Sequence, residues 1–455
     1  MNFHTCVLVL ALAASGTAQA MSDAELAATL DRRLSGDRTG ACFAAAVVDA
    51  GQVARAWRCA DPADRDRIGA DAAFEIGSVA KTMTAALLAD LIVGGEGSLD
   101  DPLADWLPET AAMPVFEGRP ILLRHVVAHT SGLPRLPPGM EDADFRDPYA
   151  ALDLEGLRAA LGRTTLTRAP GMEFEYSNFA AMLLSWAVAH RAGEDLETLL
   201  DRRLFTPLGM DGAHVVQRPD GVRAAAGHTA EGQATPPWRF HVDLAGAGGV
   251  RATLDDMVRY VQAQLGQIEV EPRLDAALKM TRAPLAGTEA RPMAMNWLLA
   301  PLDGRSVHVH EGGTGGFSSY VALDTGRERG VVVLSDTALH ELGGLGDIGN
   351  HLLDARLPLG KPRTASAVEL TPEALAGYAG EYPLMPGFSL LVRERAGVLY
   401  AQATGQDEFP LEARADDVFE APAFGIEIRF RRDGGDRVDA LELHQGGQVL
   451  QGERQ

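Results

Sequence analysis

Ser78 and Lys81 stand three residues apart in a stretch that reads as a helix from Ser78 to about Val93, so their side chains share one face. An amine held beside a hydroxyl can activate that hydroxyl as a nucleophile without a histidine base. The chain has three lysines among 41 basic residues, and arginine supplies almost all the other positive charge. A lysine in such a background suggests a task arginine cannot perform, and losing a proton near neutral pH is one. Taken alone, Ser-x-x-Lys also describes an N-cap serine followed by a surface lysine.

Two further groupings carry compatible chemistry. Tyr176-Ser177-Asn178 lies just before a helical pattern opening at Phe179. A phenol beside cations is expected to have a lowered pKa, and could pass a proton between Ser78 and a leaving group. Asn178 offers a donor and an acceptor, suited to orienting Lys81 and a substrate amide. His310-Glu311-Gly312-Gly313-Thr314-Gly315-Gly316 ends one strand and turns into the next. A cation or proton carrier at His310 and bare backbone at Gly312 and Gly313 would admit a carbonyl. The N–H groups of Gly313 and Ser78 could then hold an oxyanion. His308 and His310 would share a strand face, but no third ligand at zinc-like spacing accompanies them, so no metal is expected.

The elements that must position these residues follow from periodicity. Ser22-x-x-Glu25 and Thr253-x-x-Asp256 are capping boxes opening helices to about Leu34 and Leu265. Helical patterns cover Leu152–Leu161 and Phe179–Arg191, and strands are expected at Met293–Pro301, Ser306–His310, Ser318–Asp324 and Gly330–Ser335. Cys42–Val48 and Gln52–Arg58 form a hairpin about Ala50-Gly51. If Asp49 pairs with Gln52, then Cys42 faces Cys59 at a non-hydrogen-bonded position, which predicts a disulfide. Strands at both ends with helices between them imply an α/β (α+β) domain: an antiparallel sheet flanked by helices, with an inserted helical region. From Leu359 to Thr371 the pattern breaks. Beyond it, short alternating strands (Phe388–Arg393, Val398–Ala403, Ile426–Phe430, Ala440–His444, Gln448–Gln451) read as a small all-β barrel. The expected organisation is a leader at residues 1–20, a main domain at 21–358, a linker at 359–371 and a β domain at 372–455.

The leader is read from the apolar run Cys6–Ala14, too short to span a bilayer, followed by the small residues of Ala18-Gln19-Ala20. It points to a periplasmic or secreted protein, with which a disulfide is compatible. A formal net charge of −22 and no basic stripe argue against nucleic-acid or anionic-membrane partners.

Ser78-Val79-Ala80-Lys81, Tyr176-Ser177-Asn178 and His310-Glu311-Gly312 match, in order and rough spacing, the three motifs of the serine β-lactamase and penicillin-binding-protein superfamily. The chain most resembles the class C β-lactamase-like branch, with its peptidases and esterases. His129-Thr130-Ser131-Gly132-Leu133-Pro134 and Gly248-Gly249-Val250 resemble further signatures of that branch. The resemblance covers about residues 25–355, and the segment from about 370 resembles a lipocalin-like barrel found in some members. It implies that Ser78 attacks a carbonyl, Lys81 and Tyr176 exchange protons with it, Asn178 positions the substrate amide, and water releases the acyl group. No cofactor is called for. Which of Lys81 and Tyr176 acts as the base stays open.

One departure stands out. The third motif is usually Lys-Thr/Ser-Gly, and here His310 and Glu311 replace the lysine and the hydroxyl. Histidine is mostly neutral at pH 7, and an anion at Glu311 would repel a substrate carboxylate. The leading reading is an exported serine hydrolase acting on D-alanyl cell-wall peptides, β-lactams or related amides and esters. The alternatives are a carboxylesterase on small acyl esters, and a penicillin-binding sensor that acylates but barely turns over.

Overall fold

Cys42–Asp49 (β1) and Gln52–Cys59 (β2) pair as an antiparallel hairpin, and Ala50 and Gly51 between them both take positive φ, at 46° and 85°. Two consecutive left-handed residues make the two-residue turn whose twist matches that of the strands it joins. The register is the expected one: Asp49 opposes Gln52 and Cys42 opposes Cys59, and a disulfide joins the cysteines. The fold is that of a computed structural model, which describes residues 20–455 apart from 110, 141–142, 145, 286, 288–290, 361–369, 386, 396, 405–407, 416, 422–423, 425, 436 and 446–447. The expected leader, up to residue 19, and most of the expected linker lie outside the described residues.

Four later strands complete the sheet: Leu298–Leu302 (β3), Arg305–Gly313 (β4), Ser318–Asp324 (β5) and Arg329–Ser335 (β6). The order is β2-β1-β6-β5-β4-β3, and every neighbouring pair is antiparallel. The first strand in sequence therefore lies inside the sheet, paired with the last. Alternation along β1 serves two cores. Ala44, Ala46 and Val48 join the large helical core, and Phe43, Ala45 and Val47 join a smaller one on the opposite face. Asp23–Leu34 (α1) lies along β2, opened by the Ser22–Glu25 capping box.

The intervening chain is helical. Ala80–Val93 (α2) and Asn178–Ala192 (α4) are apolar on nearly every side and buried, as central helices must be. Leu154–Arg163 (α3) and Leu254–Gln264 (α5) are amphipathic, and Thr253 and Asp256 cap α5 reciprocally. Among the helices that escaped the periodicity reading are Pro272–Arg282 (α6), packed on α2, and Gly346–Leu353 (α7), packed on β5 and β6. The strand expected from Met293 starts only at Leu298, because Asn296 takes φ 58° and turns the chain back on itself.

From Gly380 to Glu453 eight strands (β7–β14) follow one another as an antiparallel meander around their own core of Tyr382, Leu390, Phe419 and Ile428. The Gln455 N–H donates to the Glu381 carbonyl at 2.9 Å, bringing the last strand back beside the first in a nearly closed barrel. Five of these eight strands were legible as alternation.

The disulfide closes a loop of 17 residues, so replacing both cysteines by alanine should lower stability by about 3 kcal/mol through the unfolded chain's regained freedom. Thermal denaturation with and without reductant tests this. A reduced wild type that melts like the oxidised protein would contradict it.

Candidate active site

The residues before Ser78 form a short strand, Ala72–Glu75, which pairs with Arg251–Ala252. Glu75 is buried and accepts from the Trp238 N–H at 3.0 Å and Arg251 Nη2 at 3.1 Å, so it anchors three segments beneath the site. Gly77 then takes φ 50°, and Gly77–Val79 makes a tight 3-10 turn that runs straight into α2. Ser78 sits on that turn half-buried, with Lys81 one turn further along the same face.

Lys81 is fully buried, and its Nζ donates to Ser78 Oγ at 2.9 Å and to the Ala247 carbonyl at 2.6 Å. Loss of water, aided by the charge of Arg135, holds the amine well below the ordinary lysine range. The Ala247 carbonyl arrives on the turn Val242–Ala247, packed between α2 and α4. Gly246 makes that fit possible, since a Cβ there would lie 2.3 Å from Thr84 Oγ1 and 2.7 Å from Ser185 Oγ. Asn296, whose left-handed turn shortened β3, donates to the Lys81 carbonyl at 3.0 Å.

The Tyr176 hydroxyl interacts with the Ser78 side chain, and its ring lies 5.1 Å from Lys81 Nζ. The phenol is pushed up to about 12, not down: removal from water outweighs both the Ser78 hydrogen bond and the charge of Arg135. Of its other neighbours, His129 appeared in the sequence only as the start of a loop signature, and Arg135 was not singled out. The buried His129 ring lies against Tyr176 with centroids 4.3 Å apart, and the Arg135 guanidinium sits 5.5 Å from the Tyr176 centroid. His129 takes φ 53° and its Nδ1 accepts from the Ser177 N–H at 3.3 Å, fixing the turn that carries Tyr176. Nothing in a one-dimensional pattern signals a left-handed histidine. Asn178 opens α4 and donates to Tyr149 Oη at 3.2 Å, while Lys81 takes the Ala247 carbonyl instead. Asn178 Oδ1 is buried with no partner among the described residues.

The end of β4 forms the opposite wall. A Cβ at Gly312 would lie 2.1 Å from the Ile76 carbonyl oxygen, and one at Gly77 would lie 2.7 Å from the Gly313 nitrogen. Only bare backbone allows this approach, which brings the Gly313 N–H alongside the Ser78 turn. His310 faces the same side, and its Nδ1–H donates to the Glu311 carbonyl at 2.8 Å. Burial and the nearby Lys81 hold its imidazole down to about 3, so His310 is a neutral ring, as a histidine in place of the motif's lysine implied. Glu311 projects from the other face of β4, as alternation requires. Its carboxylate meets Gly344 and Gly346 ahead of α7, behind the strand as seen from Ser78. Crowding and the like charge of Asp347 push its carboxyl up to about 7, although its surface stays open to water, which tempers that shift. The expected repulsion of a substrate anion by Glu311 is thereby weakened. His308 is engaged by the Arg282 carbonyl at 2.8 Å.

Ser78, Lys81, Tyr176, Asn178, His310, Gly312 and Gly313 therefore gather in one place, and Glu311 faces away from it. Gly312→Ala should displace β4 from the Ser78 turn and cost about 1–3 kcal/mol in stability, with a larger proportional loss of acylation rate. Denaturation and single-turnover kinetics measure the two, and an alanine variant that acylates normally would refute the backbone-contact argument. His310 should remain neutral, with its proton on Nδ1, from pH 5 to 9. Imidazole nitrogen chemical shifts report this directly, and a titration near pH 6.5 would contradict it.

Residues 26–347 match the family model described as Beta-lactamase. Over 307 residues the chain is 31% identical to the D-alanyl-D-alanine-carboxypeptidase/endopeptidase AmpH of Escherichia coli strain K12, covering 64% of this chain and 78% of that protein. It is 28% identical over 321 residues to the esterase EstB of Burkholderia gladioli, covering 60% of this chain and 80% of EstB. Among solved structures, the D-alanine carboxypeptidase AmpC from Burkholderia cenocepacia superposes with a TM-score of 0.55 at 26% identity, over 69% of this chain and 94% of that one. With a family model spanning most of its length and the three motifs gathered about one cleft, the chain belongs to the β-lactamase family.

Proposed function

We propose that this protein is an exported serine hydrolase that forms an acyl-enzyme on Ser78, with D-alanyl peptides or β-lactams as its substrate class. One observation carries the reading: a buried lysine amine, held well below its usual range, lies 2.9 Å from the hydroxyl of a solvent-reachable serine. A neutral amine at that distance can accept the Ser78 proton as the hydroxyl attacks. Tyr176, with its phenol pushed up to about 12, is neutral at rest and poorly suited to be the initial base. It suits a relay, taking a proton and returning one to the leaving group. The oxyanion would be held by the N–H groups of Ser78 and Gly313. Asn178, with its unpartnered Oδ1, can accept from a substrate amide on the opposite wall. Water entering after the leaving group departs completes hydrolysis, and no cofactor takes part.

The leader at residues 1–20 and the Cys42–Cys59 disulfide support export to an oxidising compartment. The printed activity of AmpH supports a D-alanyl peptide substrate. A second reading, a carboxylesterase, is favoured by the neutrality of His310, which leaves the β4 wall without a cation to hold a substrate carboxylate, and by the likeness to EstB.

The test is the intact mass of the mature protein during incubation with benzylpenicillin, with Ser78→Ala as control. A gain of one penicilloyl group, absent from the control, is the expected result, and its decay rate separates turnover from trapping. If no adduct forms and the penicillin stays intact, the β-lactam reading fails and chromogenic acyl esters become the next substrates.

A further inference from the structure

Arg135 is an exposed arginine on the wall of the cleft, in a chain of net charge −22. Most arginines of the main domain lie beside carboxylates, as Arg67 does with Asp336 and Arg273 with Asp90. Among the described residues no carboxylate lies within ion-pair distance of Arg135, and its guanidinium lies 5.5 Å from the centroid of the Tyr176 ring. Its charge acts on Tyr149, Tyr176, Lys81 and His129, but it is not among the charges acting on His310. Its carbonyl accepts the N–H groups of Asn178 and Phe179, at 2.9 and 3.2 Å, which fixes it on the Asn178–Tyr149 side of Ser78.

In the reading above, on which this inference rests, Asn178 on that side takes a substrate amide, and in a peptide ending in D-alanine every amide other than the scissile one lies on the acyl side. A permanently charged guanidinium there, with no carboxylate beside it among the described residues, is a ready site for a substrate carboxylate, which its fork of donors grips bidentately. We propose that Arg135 recognises a free carboxylate on the acyl side of the scissile bond. The residue that acylates Ser78 would then carry a second carboxyl group, and the preferred substrate is a peptide whose penultimate residue is a diacid. With His310 neutral, the cleft's anion preference shifts from the β4 wall to the Asn178 wall.

Arg291 supplies a matched control. It is also exposed, it stacks on Phe174 at 4.2 Å, and its charge acts on His129 but is not among those acting on Lys81 or Tyr176.

The experiment measures calorimetric binding to full-length Ser78→Ala, which cannot turn over. The probes are two N-acyl dipeptides ending in D-alanine that differ only at the penultimate residue, D-glutamate in one and D-glutamine in the other. The carboxylate peptide should bind about 10-fold tighter, the effect of one good charge-assisted contact. Adding Arg135→Gln should abolish that preference, whereas adding Arg291→Gln should leave most of it. The assignment is overturned by equal affinity for the two peptides, by binding of neither, or by a preference that survives Arg135→Gln. An acyl-enzyme on wild type without any carboxylate preference would sink the Arg135 assignment and spare the hydrolase reading. A carboxylate preference lost with Arg135→Gln, with no acyl-enzyme on any ester, peptide or lactam, would do the reverse.

Discussion

The backbone of Ile76 and Gly77 lies so close to Gly312 and Gly313 that no side chain fits between them, a Cβ at Gly312 falling 2.1 Å from the Ile76 oxygen. This seam joins two parts of the molecule distant in sequence: the turn that starts α2, and the inner edge of the antiparallel sheet at the end of β4. It is reinforced by Ser319, whose Oγ donates to the same Ile76 carbonyl at 2.7 Å. Everything the site does depends on that contact. It sets the Gly313 N–H beside Ser78, it walls one side of the cleft, and it places His310 near Lys81. The β1–β6 pairing provides the stiffness behind it, because it ties the N-terminal hairpin to the strands that carry the seam.

Small residues make the second condition. A lysine ammonium is costly to bury, and in the interior the neutral amine becomes the favoured form. The fold secures that burial by surrounding Lys81 with close backbone: the Ala247 carbonyl on one side, the Asn296 amide on its own carbonyl, and a glycine at 246 that lets the Val242–Ala247 turn settle between α2 and α4. A larger residue at 246 would push the turn outward and admit water. The chemistry of one amine thus rests on packing between two apolar helices, which is why α2 and α4 are hydrophobic around most of their circumference.

The sheet strands, the long helices and the hairpin register were legible because each has a periodicity or a turn signal that needs no partner to be recognised. The pairing of Cys42 with Cys59 followed from counting outward from Ala50-Gly51, and the two positive φ angles there explain why the count holds. The three motifs were legible as residue types in order. What was hidden depends on tertiary placement. The helix α7 was missed because Gly346 and Gly349 weaken its pattern, and Gly349 is required by the Tyr320 ring, 2.2 Å from where a Cβ would stand. The protonation state of Tyr176 was misjudged for the same reason. Tyr176 was read from its cationic neighbours, whereas burial decides it, and burial also drives His310 beyond the neutrality expected of a histidine at pH 7. His129 opens a loop signature with no role attached to it and Arg135 carries no motif of its own, and both become significant only once the Tyr176 ring is seen between them.

Burial therefore sorts the cations of this cleft. Lys81 is driven toward its neutral form by the interior, and His310 is held neutral by the same loss of water. Arginine cannot follow, since its guanidinium keeps its proton under any condition the fold can impose. A guanidinium left at the surface of the cleft then does two things at once. It opposes protonation of Lys81 from a distance, and it stays available to an anion. These effects are linked, because an anion that settles on Arg135 screens the charge that helps keep the Lys81 amine free. A carboxylate-bearing substrate would thus gain in affinity and lose a little of the base's poise, so discrimination at this wall should appear more strongly in binding than in the chemical step.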